Sequence, residues 1–467
     1  MPSVRGISPG FASRLREIFS DALSFDPAER VTYGYDNSRR QATPDAVVFP
    51  TAHAQVASLV RACREERVPL VARGRGTNTT GATVPVAGGV VASFERMNRI
   101  LAIHSEDRYA IVEPGVLNGD LQAALAPRGF FWPPDPTSSP YCTVGGNLAC
   151  NAAGPRAVKY GSCRENTLGL RAVAGTGEEF RCGVYTTKGA TGFDLTRLLV
   201  GAEGTLALIT EATLKLTPRP AAKRTLSASY TDVAAAAAAV ARIMAQPVVP
   251  CALEFLDGES LRLARAHGGE SIPPAGALLV AEVDGEPGEL PRAAGAVADA
   301  ARGAGLVELR IAEGAPEVET LWAARKALSP ALRALAPDKI NEDVVVPVSR
   351  VPALVERLRE ISARHAVPIV SFGHAGNGNL HVNLLPRDAA ERARADAALA
   401  DVFAAVVALG GTLSGEHGIG LAKRDFLGDA IDPAALAIMR RIKSQFDPDG
   451  ILNPGKLLPE ASENALK

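Results

Sequence analysis

Arg73-Gly-Arg-Gly-Thr-Asn-Thr-Thr-Gly81 follows the apolar run Val68 to Ala72, and the segment after it decides the fold. Its glycines and small hydroxyl residues let backbone N–H groups come close to an anionic group. A Rossmann fingerprint would open a helix at this point. The G-x-G-x-x-G spacing is absent, however, and the next segment, Gly88 to Phe94, reads as another strand. There is no Walker pattern either. Upstream, Ala46-Val-Val-Phe49 reads as a strand and Gln55 to Glu66 as a helix with Val56, Leu59 and Val60 inward, the alternation of an α/β layer. Ahead of that, residues 11 to 40 read as one helix, with Phe11, Leu15, Ile18 and Phe19 at helical spacing, followed by a polar connection.

Further glycine-rich segments follow. Pro133-Pro-Asp-Pro-Thr-Ser138 leads into Thr143-Val-Gly-Gly-Asn-Leu-Ala-Cys-Asn-Ala-Ala-Gly154, then Tyr160-Gly161, then Gly201-Ala-Glu-Gly-Thr-Leu206 with apolar residues up to Ile209. Several such segments in one region point to one extended ligand lying along backbone amides rather than to a single phosphate. A large dinucleotide fits. Residues 220 to 370 are chemically quieter. Asp232 to Val240 is a strong helix former, Ala252 to Leu256 and Ala277 to Val283 read as strands, and Val351 to His365 as an amphipathic helix, together an antiparallel α+β domain. Pro218-Arg-Pro220 is the expected seam.

A second chemical centre is expected at Gly373-His-Ala-Gly-Asn-Gly-Asn-Leu-His-Val-Asn383, which lies between the strand-like runs Val367 to Phe372 and Leu380 to Leu385. The hairpin brings His374 and His381 near each other, and alternation puts His381 and Asn383 on one face. Two imidazoles need further donors to hold a transition metal. Ser414-Gly-Glu-His-Gly-Ile-Gly420 offers one: Glu416 completes a set of His374, His381 and Glu416, with His417 beside it as a base. Zinc is the first expectation for this divalent site, with manganese or iron as alternatives. The same donors without a flavin would suit a metal-dependent hydrolase.

Composition bounds the rest. The 467 residues predict two or three domains. Fifty Lys plus Arg against 51 Asp plus Glu, a net charge of −1, argue against nucleic acid as the main partner. Six cysteines without C-x-x-C spacing argue against an iron–sulfur or zinc-ribbon site in this chain and for a reducing compartment. Met1 to Gly10 lacks the apolar core of a signal peptide, and no apolar run reaches membrane-spanning length. A cytoplasmic protein is expected, with peripheral contact to the inner membrane left open.

Arg73 to Gly81, the Pro-Asp-Pro-Thr-Ser segment, Val-Gly-Gly-Asn to Asn-Ala-Ala-Gly, and Gly-Ala-Glu-Gly-Thr-Leu together resemble the FAD-binding domain of the vanillyl-alcohol oxidase type. The hairpin, the Gly-Glu-His-Gly stretch and Phe446-Asp-Pro-Asp-Gly-Ile-Leu-Asn-Pro-Gly-Lys456 are similar to the C-terminal half of FAD-linked D-2-hydroxyacid dehydrogenases. That family includes D-lactate, D-2-hydroxyglutarate and glycolate enzymes. The resemblance runs from about Ala46 to Lys456. It implies an α+β fold with a two-part FAD domain at 41–219, a substrate or cap domain carrying the metal site at 220–445, a tail at 446–467 returning to the FAD domain, and an entry segment at 1–40. Thr77 stands where covalent flavin carriers place a histidine, so the resemblance implies non-covalent FAD. Asn377 stands where relatives usually have Asp.

The FAD contacts so implied are Arg73, Gly74, Arg75, Gly76, Thr77, Asn78 and Gly81; Pro134, Asp135, Thr137 and Ser138; Val144, Gly145, Gly146, Asn147, Asn151, Ala153 and Gly154; Tyr160 and Gly161; Glu203, Gly204 and Ile209; and Asn453 and Lys456. In Trp322-Ala-Ala-Arg325-Lys326, read as the start of a helix, the family's Arg binds the substrate carboxylate, so Arg325 is the expected substrate ligand, with Lys339 and Asn383 beside it. The expected reaction is oxidation of a D-2-hydroxy acid, D-lactate first, to the 2-keto acid. Alternatives are D-2-hydroxyglutarate, or a glycolate oxidase flavin subunit with iron–sulfur partners. The electron acceptor is a quinone, a cytochrome or an electron-transfer flavoprotein. Homodimerisation stays open.

Overall fold

The structure, a computed structural model, describes residues 6–269 and 272–459. The first five residues of the entry segment and the last eight of the tail lie outside the described residues. The chain forms two compact units. The first takes the chain up to Ala153, then Gly161–Arg219, then everything from Glu416 onward; the second is Gly154–Tyr160 and Pro220–Gly415. The return to the first unit therefore begins at Glu416, well before the 446 expected from the closing motif.

The first unit holds two larger sheets and a two-stranded pair, Phe130–Phe131 with Thr217–Pro218. In the four-stranded sheet Ala46–Val48, Val90–Ser93 and Leu70–Arg73 run parallel in that spatial order, and Leu23–Ser24 pairs antiparallel at the edge. Helices Pro9–Phe19 and His53–Glu66 join its core through Phe11, Leu15, Phe19, Val56, Leu59 and Val60. The expected single helix over 11 to 40 is thus three elements. Ser20 closes the first helix at φ +47, a short strand follows, and Asp26 caps a second helix that Pro27 opens. The second sheet is antiparallel, in the order Ile100–His104, Tyr109–Val112, Ala207–Lys215, Thr167–Ala174, Glu179–Gly183. Its core gathers Val112, Leu121, Trp132, Leu148, Leu170 and Leu214. This is the two-part arrangement.

The second unit is built on a seven-stranded antiparallel sheet in the order Leu306–Ile311, Ala222–Tyr230, Ala277–Gly285, Ala252–Asp257, Ile369–His374, Asn379–Leu384, Ile340–Val345. The hairpin closes through a 3-10 turn, Ala375–Asn377, and Gly378 at φ +68, where a side chain would strike the Val346 carbonyl at 1.9 Å. Helices Gly258–Gly268 and Ala315–Leu335 pack Leu261, Ala264, Ala324, Leu328 and Leu332 against Leu256, Leu278, Val280, Val370 and Phe372. Arg325 lies in the middle of the long helix Ala315–Leu335, whereas Trp322 had been read as its start. Among the described residues no helix is long and apolar enough to cross a membrane.

The closing motif has a mechanical reading. The Asp447 carboxylate accepts hydrogen bonds from the N–H groups of Ile451 (3.1 Å) and Leu452 (2.8 Å) and from Lys443 Nζ, which also reaches the Thr205 carbonyl at 2.6 Å. Asp447→Ala strands a largely buried ammonium and two buried amides. It is expected to destabilise the first unit by ~3 kcal/mol, read as a lowered thermal midpoint, with Asp447→Glu intermediate.

Candidate functional site

In the second unit strand register assembles the site. The antiparallel pairs Glu254↔His374, Phe372↔His381 and Asp343↔His381 place Glu254, His374, His381 and Asp343 on one face of four strands. The two imidazoles meet edge to face, with ring centroids 5.2 Å apart. His374 Nδ1 donates to Glu254 Oε1 at 2.5 Å, which leaves Nε2 as the ring's lone-pair donor. Asp343 accepts from Gly415 N–H at 2.7 Å and from Ser414 Oγ, so the strand that supports His381 also fixes the turn ending at Gly415. Glu416 is bonded directly to Gly415. The donor atoms of His374, His381 and Glu416 all lie within 4.8 Å of one another, a set of two imidazoles and one carboxylate whose chemistry fits a divalent transition metal.

Arg325 stands over this face. Its Nε donates to Glu254 Oε2 at 3.0 Å and its guanidinium carbon lies 4.8 Å from the centre of the Phe372 ring. Among the described residues its two Nη groups carry no protein hydrogen bond, and its side chain is 17% exposed, so a planar two-donor edge is presented outward. Burial by itself would raise the Glu254 carboxyl; His374 and then Arg325 outweigh burial and hold it at about 2. Lys339 Nζ donates to Asn383 Oδ1 at 2.6 Å, and Asn383 Nδ2 donates to the His381 carbonyl at 3.2 Å. Asn383 is fully buried. It is thus bonded to Lys339 and to its own strand, on the face that carries His381.

In the first unit the expected dinucleotide loops converge. Arg73 is buried, its Nη1 donating to the Tyr35 carbonyl at 2.6 Å, with the Tyr33 and Tyr35 rings against the guanidinium. Gly76 sits at φ +66, and a Cβ there would lie 2.3 Å from Arg73 Nη2. A Cβ on Gly74 would meet Thr143 Oγ1 at 2.3 Å, and one on Gly145 would meet the Pro114 ring at 2.5 Å, so each glycine admits a neighbour that a side chain would displace. Thr143 caps helix Val144–Cys150 by accepting from Gly146 N–H at 3.1 Å. Asn78 Nδ2 donates to the His417 carbonyl at 2.8 Å, while its Oδ1 accepts from Thr80. The buried Thr79 hydroxyl has no protein partner. Pro134 is held through its carbonyl by Asn118 Nδ2, and Asp135 through its N–H on the Ala153 carbonyl.

Other expected contacts have structural work. The buried Glu203 carboxylate accepts from Ile419 N–H (2.6 Å) and Gly420 N–H (2.9 Å), and the Glu203 carbonyl accepts from Asn453 Nδ2 at 2.7 Å. Asn151 Oδ1 accepts from Ser162 and Arg164. Lys456 Nζ donates to Asn453 Oδ1 at 3.2 Å; burial pulls its ammonium down to about 8, with the Glu203 and Asp36 carboxylates opposing. A buried cation, an orphan hydroxyl and a glycine-lined loop fit an extended anionic dinucleotide. Gly154 and Tyr160 belong to the second unit, where the Tyr160 hydroxyl donates to Asp284 Oδ2 at 2.8 Å.

Glu254 and Asp343 are the residues bonded around the candidate donors that motif reading missed. The signal for Glu254 was a lone carboxylate inside the apolar run Ala252-Leu-Glu-Phe-Leu256: a strand buried throughout has no use for a charge without a partner.

Two families match the chain: "FAD binding domain" over residues 44–183 and "FAD linked oxidases, C-terminal domain" over residues 219–457. The glycolate oxidase subunit GlcD of Bacillus subtilis is 39% identical, over 92% of each chain. A D-lactate dehydrogenase of Anaerostipes hadrus is 34% identical, over 89% of this chain and 90% of its own. A D-2-hydroxyglutarate dehydrogenase of Stutzerimonas stutzeri is 33% identical, over 94% and 96%. Among solved structures p-cresol methylhydroxylase matches with a TM-score of 0.78 at 17% identity, over 97% of each chain, a likeness of fold alone.

Gly76→Ala places a methyl group against Arg73 and an L-residue at positive φ. We expect it to destabilise the loop by about 1–3 kcal/mol and to lower the dinucleotide retained through purification, measured as the visible-to-ultraviolet absorbance ratio.

Proposed function

The chain belongs to the FAD-linked oxidases, with an FAD domain of the vanillyl-alcohol oxidase type, and from that premise we propose that it oxidises a short D-2-hydroxy acid, D-lactate first, to the 2-keto acid. The observation that carries this reading is the convergence of His374, His381 and Glu416 on the sheet face over which Arg325 stacks on Phe372. In the proposed reaction the substrate hydroxyl loses its proton, the carbinol carbon loses a hydride, and the C–O bond becomes a carbonyl. Arg325 receives the carboxylate on its two Nη groups and so orients the carbinol carbon. Held at its carbonyl by Asn78, His417 takes the hydroxyl proton, general-base help worth about 10² to 10⁴ in rate. FAD, when bound along the loops at 73–81 and 143–147, supplies the hydride acceptor. A divalent metal held by His374, His381 and Glu416 would supply Lewis-acid stabilisation of the ionised hydroxyl.

Arg325 Nε donates to Glu254, and its outer planar edge is the match for the one carboxylate that all these acids share; a dicarboxylate such as 2-hydroxyglutarate needs a further cation. A second reading is supported by the Bacillus subtilis relative, which is a subunit of a glycolate oxidase: the chain would be the flavin subunit of a complex that passes electrons to iron–sulfur partners.

His417→Ala is expected to lower kcat by about 10² or more with flavin and metal content intact; full activity would remove it from the base role. Arg325→Ala should raise KM more than it lowers kcat. A panel of D-lactate, glycolate and D-2-hydroxyglutarate with a dye acceptor is expected to rank D-lactate first by kcat/KM and to lose turnover on chelation. No turnover with any of the three by the isolated flavoprotein favours the subunit reading.

A further inference from the structure

Glu254 is fully buried on the strand Ala252–Asp257 and lies far in sequence from every motif that marks the site. Its two carboxylate oxygens are divided between two partners. Oε1 accepts from His374 Nδ1 at 2.5 Å and Oε2 accepts from Arg325 Nε at 3.0 Å. His374 arrives on the neighbouring strand as the register partner of Glu254, and Arg325 arrives from helix Ala315–Leu335, its guanidinium carbon over the ring of Phe372, which is two residues before His374 and on the same face.

Each bond has a chemical consequence. A carboxylate on Nδ1 keeps the proton on that nitrogen, so the Nε2 lone pair is the one turned to a metal, and it raises the ring's basicity as a ligand. A carboxylate on Nε rather than on the Nη end holds the guanidinium side-on and leaves its outer two-donor edge for another carboxylate. A neutral residue cannot do both. An amide has one acceptor oxygen, and its NH₂ would face either a second N–H donor or an imidazole nitrogen forced into the wrong tautomer.

We propose that Glu254 is a positioning residue shared by two sites: one carboxylate sets the metal-binding tautomer of His374 and, through its other oxygen, the presentation of Arg325 to the substrate carboxylate. This rests on the reading of His374 as a metal ligand and Arg325 as a substrate ligand. Metal affinity and substrate affinity are then tied to one side chain that touches neither ligand.

The test uses the purified FAD-loaded protein stripped of metal by chelator. Zn²⁺ is titrated calorimetrically without substrate, and KM for D-lactate is then measured at saturating Zn²⁺. For Glu254→Gln the Zn²⁺ Kd is expected to rise 10- to 100-fold and KM to rise at least several-fold, with flavin content unchanged. Glu254→Asp, which keeps the charge but withdraws it by one methylene, should fall between wild type and Gln on both scales and serves if Gln fails to fold. Combining Glu254→Gln with Arg325→Ala should add little to the KM of Arg325→Ala alone, because the residue acts on substrate through Arg325. A folded Glu254→Gln protein with wild-type Zn²⁺ affinity, or with wild-type KM, overturns the shared role, as does full additivity in the double variant. Failure of the underlying reading looks different: His374→Ala would still bind Zn²⁺ like wild type, or Arg325→Ala would leave KM unmoved.

Discussion

Cross-strand register in the seven-stranded sheet is the constraint on which the chemistry depends. Antiparallel pairing sets Glu254 opposite His374, and both Phe372 and Asp343 opposite His381. Because side chains alternate with period two, a slip of one residue at any of these junctions would turn a polar group to the far face and bring an aliphatic one in its place. The far face is tightly filled: Phe255, Val344, Leu380, Val382 and Leu384 are at most 1% exposed. The same face that carries the imidazoles also carries Leu256, Val370 and Phe372, packed beneath helices Gly258–Gly268 and Ala315–Leu335. Packing of the core and alignment of the donors are therefore one requirement, and the hydrophobic term that fixes the register, roughly 1.5–3 kcal/mol per buried side chain, also aligns the polar groups.

What was legible in the sequence was local. The hairpin, its paired histidines and the glycine-rich loops are short-range patterns in which spacing maps directly onto geometry, and the strands at 46–49, 252–256 and 277–283 lie within a few residues of their expected bounds. Pairings across long sequence distances were not legible. Glu254 and His374 are separated by 120 positions and Asp343 and Gly415 by 72, and nothing in either segment names the other. The entry helix was overextended because periodicity does not report where a chain reverses; Ser20 adopts its left-handed turn without being glycine. Gly154 to Tyr160 reads as a continuation of a glycine-rich loop, yet it packs in the other unit because Lys159 and Tyr160 both bond to Asp284.

Motif residues of the first unit show how a glycine-rich pattern can serve the frame of a site. Glu203 and Asn453 both adopt left-handed backbone conformations, φ +52 and +44, at a price of about 1 kcal/mol or more each. Both spend side-chain polar atoms on neighbouring backbone: the Glu203 carboxylate on Ile419 and Gly420, the Asn453 Nδ2 group on Ala82 and Glu203. The strain is held because removing either side chain would leave buried amides and carbonyls without partners. His417 lies within the stretch so braced, with its carbonyl held by Asn78, so its backbone is pinned from both sides.

Neither unit is a continuous piece of chain; the backbone changes unit at 153/154, 160/161, 219/220 and 415/416. The strand Leu70–Arg73 is completed only when Leu70 N–H meets the Ile451 carbonyl and Asn453 N–H meets the Leu70 carbonyl, each at 2.8 Å. A ribosome adding about 5–20 residues per second delivers that partner on the order of tens of seconds after the strand has emerged. Through that interval the first unit waits half-built with an open β edge, while the second can finish folding as soon as Gly415 is made. The order of synthesis is thus the reverse of the order of completion, and a nascent chain of this topology spends its vulnerable time on the flavin side.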